Sequence, residues 1–139
     1  MAIYGNALST VSIAAQTLPA DGLVVFSTNV VDTGCMIDHV AGSTDTELRG
    51  PGVYPITFNA DVIPVATGQL TVRLLSNGTP VPGAQTTITG VAAVRSNVAF
   101  AGIVKVLPSC PFVINKANIQ VQVSAATNVE NANLGVTRN

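Results

Sequence analysis

From Tyr54 to Val62 every even-numbered residue is apolar, while Thr57, Asn59 and Asp61 stand between them. Alternation with a period of two places one side of an extended chain in a core and the other outside, and no helix satisfies it. The same beat returns in Leu70, Val72 and Leu74 opposite Thr71 and Arg73, and in Ile119, Val121 and Val123 opposite Gln120 and Gln122. Val98, Phe100, Gly102, Val104 and Val106 make another face, and Leu134 and Val136 a short last one. Weaker strand signals cover Leu23 to Val31, Met36 to Val40, Val81 to Ile88 and Phe112 to Ile114. No apolar stripe of helical period extends beyond two turns. Val, Ile and Thr supply 45 of the 139 residues, whereas Lys and Glu number two each. Residues suited to a pleated surface are therefore abundant, and the usual surface residues of helices are scarce. The pattern predicts an all-β chain of about ten strands in a sandwich or barrel.

Turn signals divide the strands. Asn77-Gly78 between two apolar runs predicts a hairpin. Gly50-Pro51-Gly52, Pro64 to Gly68, Pro80 to Gly83 and Pro108 to Pro111 punctuate the rest. Pro55 interrupts an otherwise regular run and is expected at a sheet edge or beside a bulge, since it has no N–H to give a ladder. The length fits one domain over residues 21–139, preceded by residues 1–20 as an arm or first strand.

Charge narrows the function. With 47% hydrophobic residues the chain is not a disordered segment. Six Lys and Arg against seven Asp and Glu leave no field for phosphates, so no nucleic-acid partner is expected. Only 9% of residues are charged, against about 25% in average soluble chains. So few ionic groups predict that part of the surface is covered by another copy of the chain or by a partner. The first basic residue is Arg49, so the positively charged start of a signal peptide is missing. Apolar runs such as Leu23 to Phe26 fall far short of the roughly 20 residues a membrane span needs. With no export and no membrane expected, Cys35 and Cys110, which show no metal-ligand spacing, are expected as buried, reduced thiols.

Few residues offer chemistry. His39 is the one histidine, beside Asp38 and with Ser27 and Ser43 near in sequence. A triad also needs an oxyanion site, and no strand–Ser–helix elbow accompanies it, so no catalytic residue is assigned. Three copies of His39 meeting on a threefold axis would offer a Zn²⁺ or Ni²⁺ site. A strand histidine satisfied by hydrogen bonds is the simpler reading. Asp45 and Glu47 have the spacing of a carboxylate pair for Ca²⁺, but without a glycine-bearing loop they read better as solvated edge charges. Asn77-Gly78-Thr79 matches a glycosylation sequon, and the turn explains the same three residues. No phosphate loop, CxxC or basic aromatic patch occurs, and no cofactor is expected. Six aromatic residues and no Trp make a poor sugar-stacking platform.

Several segments nevertheless follow one another in a recognisable order. Asn29-Val30-Val31-Asp32-Thr33-Gly34, Ile37-Asp38-His39-Val40-Ala41-Gly42-Ser43 and Pro51-Gly52-Val53-Tyr54-Pro55-Ile56-Thr57-Phe58 resemble the tumour-necrosis-factor/complement globular-head superfamily. The likeness is strongest to its bacterial and phage branch, which includes the C-terminal domains of exosporium glycoproteins and small virion proteins of Firmicutes phages. The closing Asn131 to Arg138 is similar to the last strand of those domains, and Met1 to Ala7 resembles the start of the short phage proteins. The resemblance covers residues from about 23 to 138. It implies a ten-stranded jelly roll, a homotrimer and no catalysis. It places Tyr54 and Phe58 in the core or near the trimer axis; Phe100 and His39 are expected alongside them at the trimer core or interface. The expected function is a structural virion protein, a capsid decoration or head-fibre protein on a phage head, made in the host cytoplasm. Ile3, Tyr4, Leu8, Val11 and Ile13 would then dock on the major capsid protein. The alternatives are a receptor- or glycan-binding fibre tip and a spore or cell-surface structural protein; the latter lacks here the Gly-x-y stalk of its relatives.

Overall fold

A computed structural model describes residues 5–107 and 116–138. The described residues form eleven strands and no helix: β1 (Ala7–Ser12), β2 (Gln16–Leu18), β3 (Thr28–Thr33), β4 (Ile37–Asp38), β5 (Thr46–Leu48), β6 (Gly52–Pro64), β7 (Gly68–Ser76), β8 (Thr79–Gly90), β9 (Ser96–Val106), β10 (Ala117–Val123) and β11 (Thr127–Thr137). They build two antiparallel sheets, one in the order β3-β1-β11-β6-β9 with β2 also on β11, the other β4-β5-β10-β7-β8. The alternating faces read from the sequence meet between the sheets. Tyr54, Ile56, Phe58, Ala60 and Val62 of β6 are buried with Leu70, Val72 and Leu74 of β7 and Ile119, Val121 and Val123 of β10. Phe58 stacks on Phe100 at 5.2 Å and meets Phe26 edge-on at 6.2 Å. Aromatic pairs in these arrangements add about 0.5–1.5 kcal/mol beyond their area.

Two features depart from expectation, and a third resolves between the options left open. Leu23 to Val31 is not one strand. The Val24 N–H donates to the Val121 carbonyl in the second sheet, whereas the Ser27 N–H donates to the Val11 carbonyl in the first. The segment crosses between sheets there, burying Val24 and Phe26 on the way, and only from Thr28 does it run as β3. Residues 7–12, expected as part of an arm or a first strand, are a strand lying between β3 and β11. Two of the three inward positions of β1 are Thr10 and Ser12, so hydroxyls mask the apolar beat; the buried Thr10 hydroxyl donates to the Thr28 carbonyl at 3.1 Å. Cys35, expected buried, is exposed in the turn between β3 and β4. That turn passes through Gly34 at φ 79°. Cys110 and the strand expected at Phe112 to Ile114 lie outside the described residues.

Pro55 sits in β6, which has β11 on one side and β9 on the other. Pairing with β11 stops at Ile56–Val136, so proline falls where only β9 flanks the strand. Asn77 and Gly78 have φ of 52° and 83°, the left-handed pair a tight hairpin turn demands.

Strands β8 and β9 form the free edges of their sheets and close the sandwich against each other. Between the pairs Arg73–Gln85 and Leu75–Pro80 the β8 side carries three more residues than β7, so Val81 to Ala84 bow outward. The bow brings Ala84 fully out of solvent against Gly102 of β9. A Cβ on Gly102 would stand 2.6 Å from that of Ala84. Farther along, the Thr86 hydroxyl donates to the Ala99 carbonyl. Gly102→Ala should therefore cost about 1–3 kcal/mol by overpacking, read as a lowered denaturation midpoint. Adding Ala84→Gly should restore most of the loss; a double variant no better than the single one would refute this account of the seam.

Candidate assembly surface

The closed seam leaves a shallow, mostly apolar channel on the outside of the molecule. Odd-numbered residues of β9 point outward, and Ile103 is 63% exposed. On one side of it lies a depression of about 520 Å³ bordered by Pro55, Thr57, Pro82, Gly83, Ala101 and Ile103. A second of about 240 Å³ continues past Thr79, Pro80, Val81 and Pro82 to Lys105. The two share Pro82 and Ile103, and Lys105 is the one charged residue on either. Such a strip can exclude water against another apolar surface. Sequence reasoning did not single out these residues. A signal was available, because Val98 to Val104 is apolar on both faces, and a strand covered on both sides reads in that way.

His39 is buried and hydrogen-bonded within the single chain. It is 3% exposed, with Nε2 3.0 Å from the Ser43 carbonyl and Nδ1 2.6 Å from Asn29 Oδ1. The Asn29 amide donates in turn to the His39 carbonyl at 2.7 Å, and the Phe26 ring stands edge-on to the imidazole. The ring ties the loop between β4 and β5 to β3, in the manner of a strand histidine satisfied by hydrogen bonds. Tyr54, Phe58 and Phe100 are likewise core residues of the single sandwich. The Tyr54 hydroxyl donates to the Gly50 carbonyl at 2.6 Å and fastens the turn before β6. Of the expected docking residues, Leu8 is 2% exposed inside the core, Val11 is half-buried on β1, and Ile13 is 72% exposed. Ile3 and Tyr4 lie outside the described residues.

Asp38, Asp45, Glu47, Asp61 and Glu130 are engaged by the protein's own donors. Asp38, Asp45 and Glu47 border a depression of about 190 Å³ with Asn118. Gln120 donates to Asp45 and lowers its carboxyl below the ordinary range. Lys116, 3.1 Å from Glu47, lowers that group most, with Arg49 adding to the effect at 3.3 Å. Arg49 also reaches Asp38 at 2.7 Å. On the other sheet, the Asn131 and Asn97 amides hold the Asp61 carboxyl low, and Arg95 joins Asp61 to Glu130. No group of three or more His, Cys, Asp or Glu able to hold a metal occurs among the described residues.

No family model matches the chain, and no curated protein matches it in sequence. Solved structures do match in shape. Murine APRIL, crystallised at pH 5.0, superposes with a TM-score of 0.74 at 12% identity, over 98% of this chain and 100% of that one. The globular domain of zebrafish complement 1qA protein gives 0.64 at 18% identity, over 96% of this chain and 99% of that one. The fold is a tumour-necrosis-factor/C1q-like jelly roll. The sandwich described above, with its closed β8–β9 seam, is this chain's version of it.

Two outcomes follow. His39→Ala should strand Asn29 Oδ1 and the Ser43 carbonyl and cost about 2–3 kcal/mol, while excess Zn²⁺ or Ni²⁺ should leave the wild-type melting temperature unchanged; a metal-induced rise would restore the ion site. Asp45, Glu47 and Asp61 titrate lower in the folded chain than free, so the stability they contribute is complete above the ordinary carboxylate range. It should fade as pH falls through about 4 and below. Thermal melts from neutral to acid pH should show this decline, shallower in Asp61→Asn.

Proposed function

We propose that this jelly roll works as a homotrimeric structural protein that decorates the assembled capsid of a phage. The observation that carries the trimer is the apolar seam around Ile103 on a chain with so few charges. A heterologous contact, seam of one copy against the outer sheet face of the next, closes into a ring when repeated about a threefold axis. It would cover Pro55, Ala101 and Ile103 while leaving each core intact. Support for the capsid comes from the ordered segments that resemble small phage virion proteins.

Docking onto the shell falls to the half of the sandwich away from the Ala7–Thr137 pair. There Ile13, Val65, Val91 and Val94 are exposed. The loops carrying three of them are braced together by the Ala93 N–H on the Pro64 carbonyl and the Ala92 N–H on the Thr67 hydroxyl. Apolar side chains on braced loops lose little entropy on binding. A protein held on several neighbouring capsomers acts as a ligand of the assembled state and stabilises it by mass action.

Sedimentation equilibrium at micromolar concentration should report three chains, and Ile103→Asp should report one chain with the circular dichroism of the parent. A monomeric parent would remove the trimer. Cosedimentation with shells assembled from the major capsid protein of the same genome should carry the parent into the pellet and leave a trimeric Val91→Asp/Val94→Asp variant in solution. A parent trimer that stays in solution would remove the capsid role.

A further inference from the structure

The turn at Asn77-Gly78 does more than reverse the chain. Its backbone N–H donates to the Asn118 carbonyl at 2.8 Å, as a ladder continuing past the last β7–β10 pair would. At that point the backbone of β7 turns away, and the side chain takes its place. The Asn118 N–H donates to Asn77 Oδ1 at 2.8 Å, and Asn77 Nδ2 donates to the Lys116 carbonyl at 3.4 Å. The carboxamide thus imitates one more peptide unit of the strand. Asn77-Gly78 is also the one Asn-Gly pair in the sequence. With no Cβ, Gly78 leaves its nitrogen open to approach from the preceding side chain.

We infer that Asn77 is a deamidation site that the fold holds closed, and that the bonds from β10 to its carboxamide are the latch. In the reaction the deprotonated Gly78 nitrogen attacks Asn77 Cγ. The N–Cγ bond forms, the Cγ–Nδ2 bond breaks, and Nδ2 leaves as ammonia. Water then opens the succinimide at either carbonyl to give aspartate or isoaspartate; no oxidant, metal or enzyme is needed. Ring closure requires both side-chain bonds to β10 to be given up, so the rate is set by detachment of the turn. The change is then locked in. A carboxylate at this position offers no donor to the Lys116 carbonyl, and isoaspartate lengthens a two-residue turn whose geometry sets the β7–β8 register. Ser76 and Thr79, on either side of the turn, border the seam channel, so the modified turn reshapes that channel.

The full chain, folded or in urea, is incubated in mildly alkaline buffer, digested and mapped by mass, with isoaspartate assayed at Asn77. Conversion at Asn77 should be at least about tenfold slower in the folded chain, the ratio reporting the free energy of local opening. Exposed Asn97 and Asn133, followed by Val98 and Leu134, should remain amides in both. Equal rates folded and unfolded would overturn the inference. Asn77→Gly keeps a residue suited to the left-handed turn and removes the latch; amide exchange at Asn118 should accelerate in it while circular dichroism is unchanged. Unaltered exchange would show that the carboxamide holds nothing.

Discussion

The close approach of Ala84 to Gly102 is the contact on which the exterior of this molecule depends. Two open sheets would leave β8 and β9 as long free edges, each able to pair with another chain. Here β8 bows, Ala84 enters the space that a glycine leaves on β9, and the two edges cover one another. Closure at this side is what turns the outward residues of β9 into the floor of a channel rather than the rim of an open sheet. Pro82 and Gly83 lie in the same bow, and they join Ile103 at that channel because of it.

Polar groups inside the sandwich follow from a similar economy of space. Thr10, Ser12, His39, Thr46 and Thr127 are buried among the aliphatic side chains. His39 serves two segments at once, since its ring meets the loop before β5 and its backbone carbonyl takes the Asn29 amide. Buried polar atoms of this kind are costly when unpaired and rigidifying when paired. The connection from β4 to β5 is held by the His39 ring on the Ser43 carbonyl, and a metal would have to displace that partner and Asn29 to bind.

How much of this was legible depended on which face of a strand carried the apolar residues. β6, β7, β9 and β10 stand where their alternation places them, because each has one uniformly apolar face. β1 was hard to see because Thr10 and Ser12 occupy core positions as hydrogen-bonded hydroxyls, and a sequence does not show which hydroxyl finds a partner. The crossing at Leu23 to Ser27 has strand composition throughout; its passage between sheets is decided by tertiary hydrogen bonds. The seam was missed for a related reason. Ala99, Ala101 and Ile103 look like tolerated apolar residues until β8 is placed beside them, and the bow in β8 depends on a register change that no local pattern reveals. His39 was legible as a satisfied histidine but not as the clasp between β3 and the loop after β4.

The distribution of the few charges completes the picture of the surface. Arg49 and Lys116 are spent on Asp38 and Glu47, and Arg95 on Asp61 and Glu130. Exposed pairs of this kind contribute little to stability, with a median of about 0–1 kcal/mol. Their effect here lies in where they are: on the outer face near β4 and β5, and around the bulge at Asn131 in β11, not along the channel. Ion pairs also bind less water than separated charges do, so pairing removes solubilising power from a chain that already has little. A channel with a single charge, Lys105, and a surface on which Arg49, Arg95 and Lys116 are paired favour contact with a second apolar surface. The same features would be a liability in a chain meant to stay alone.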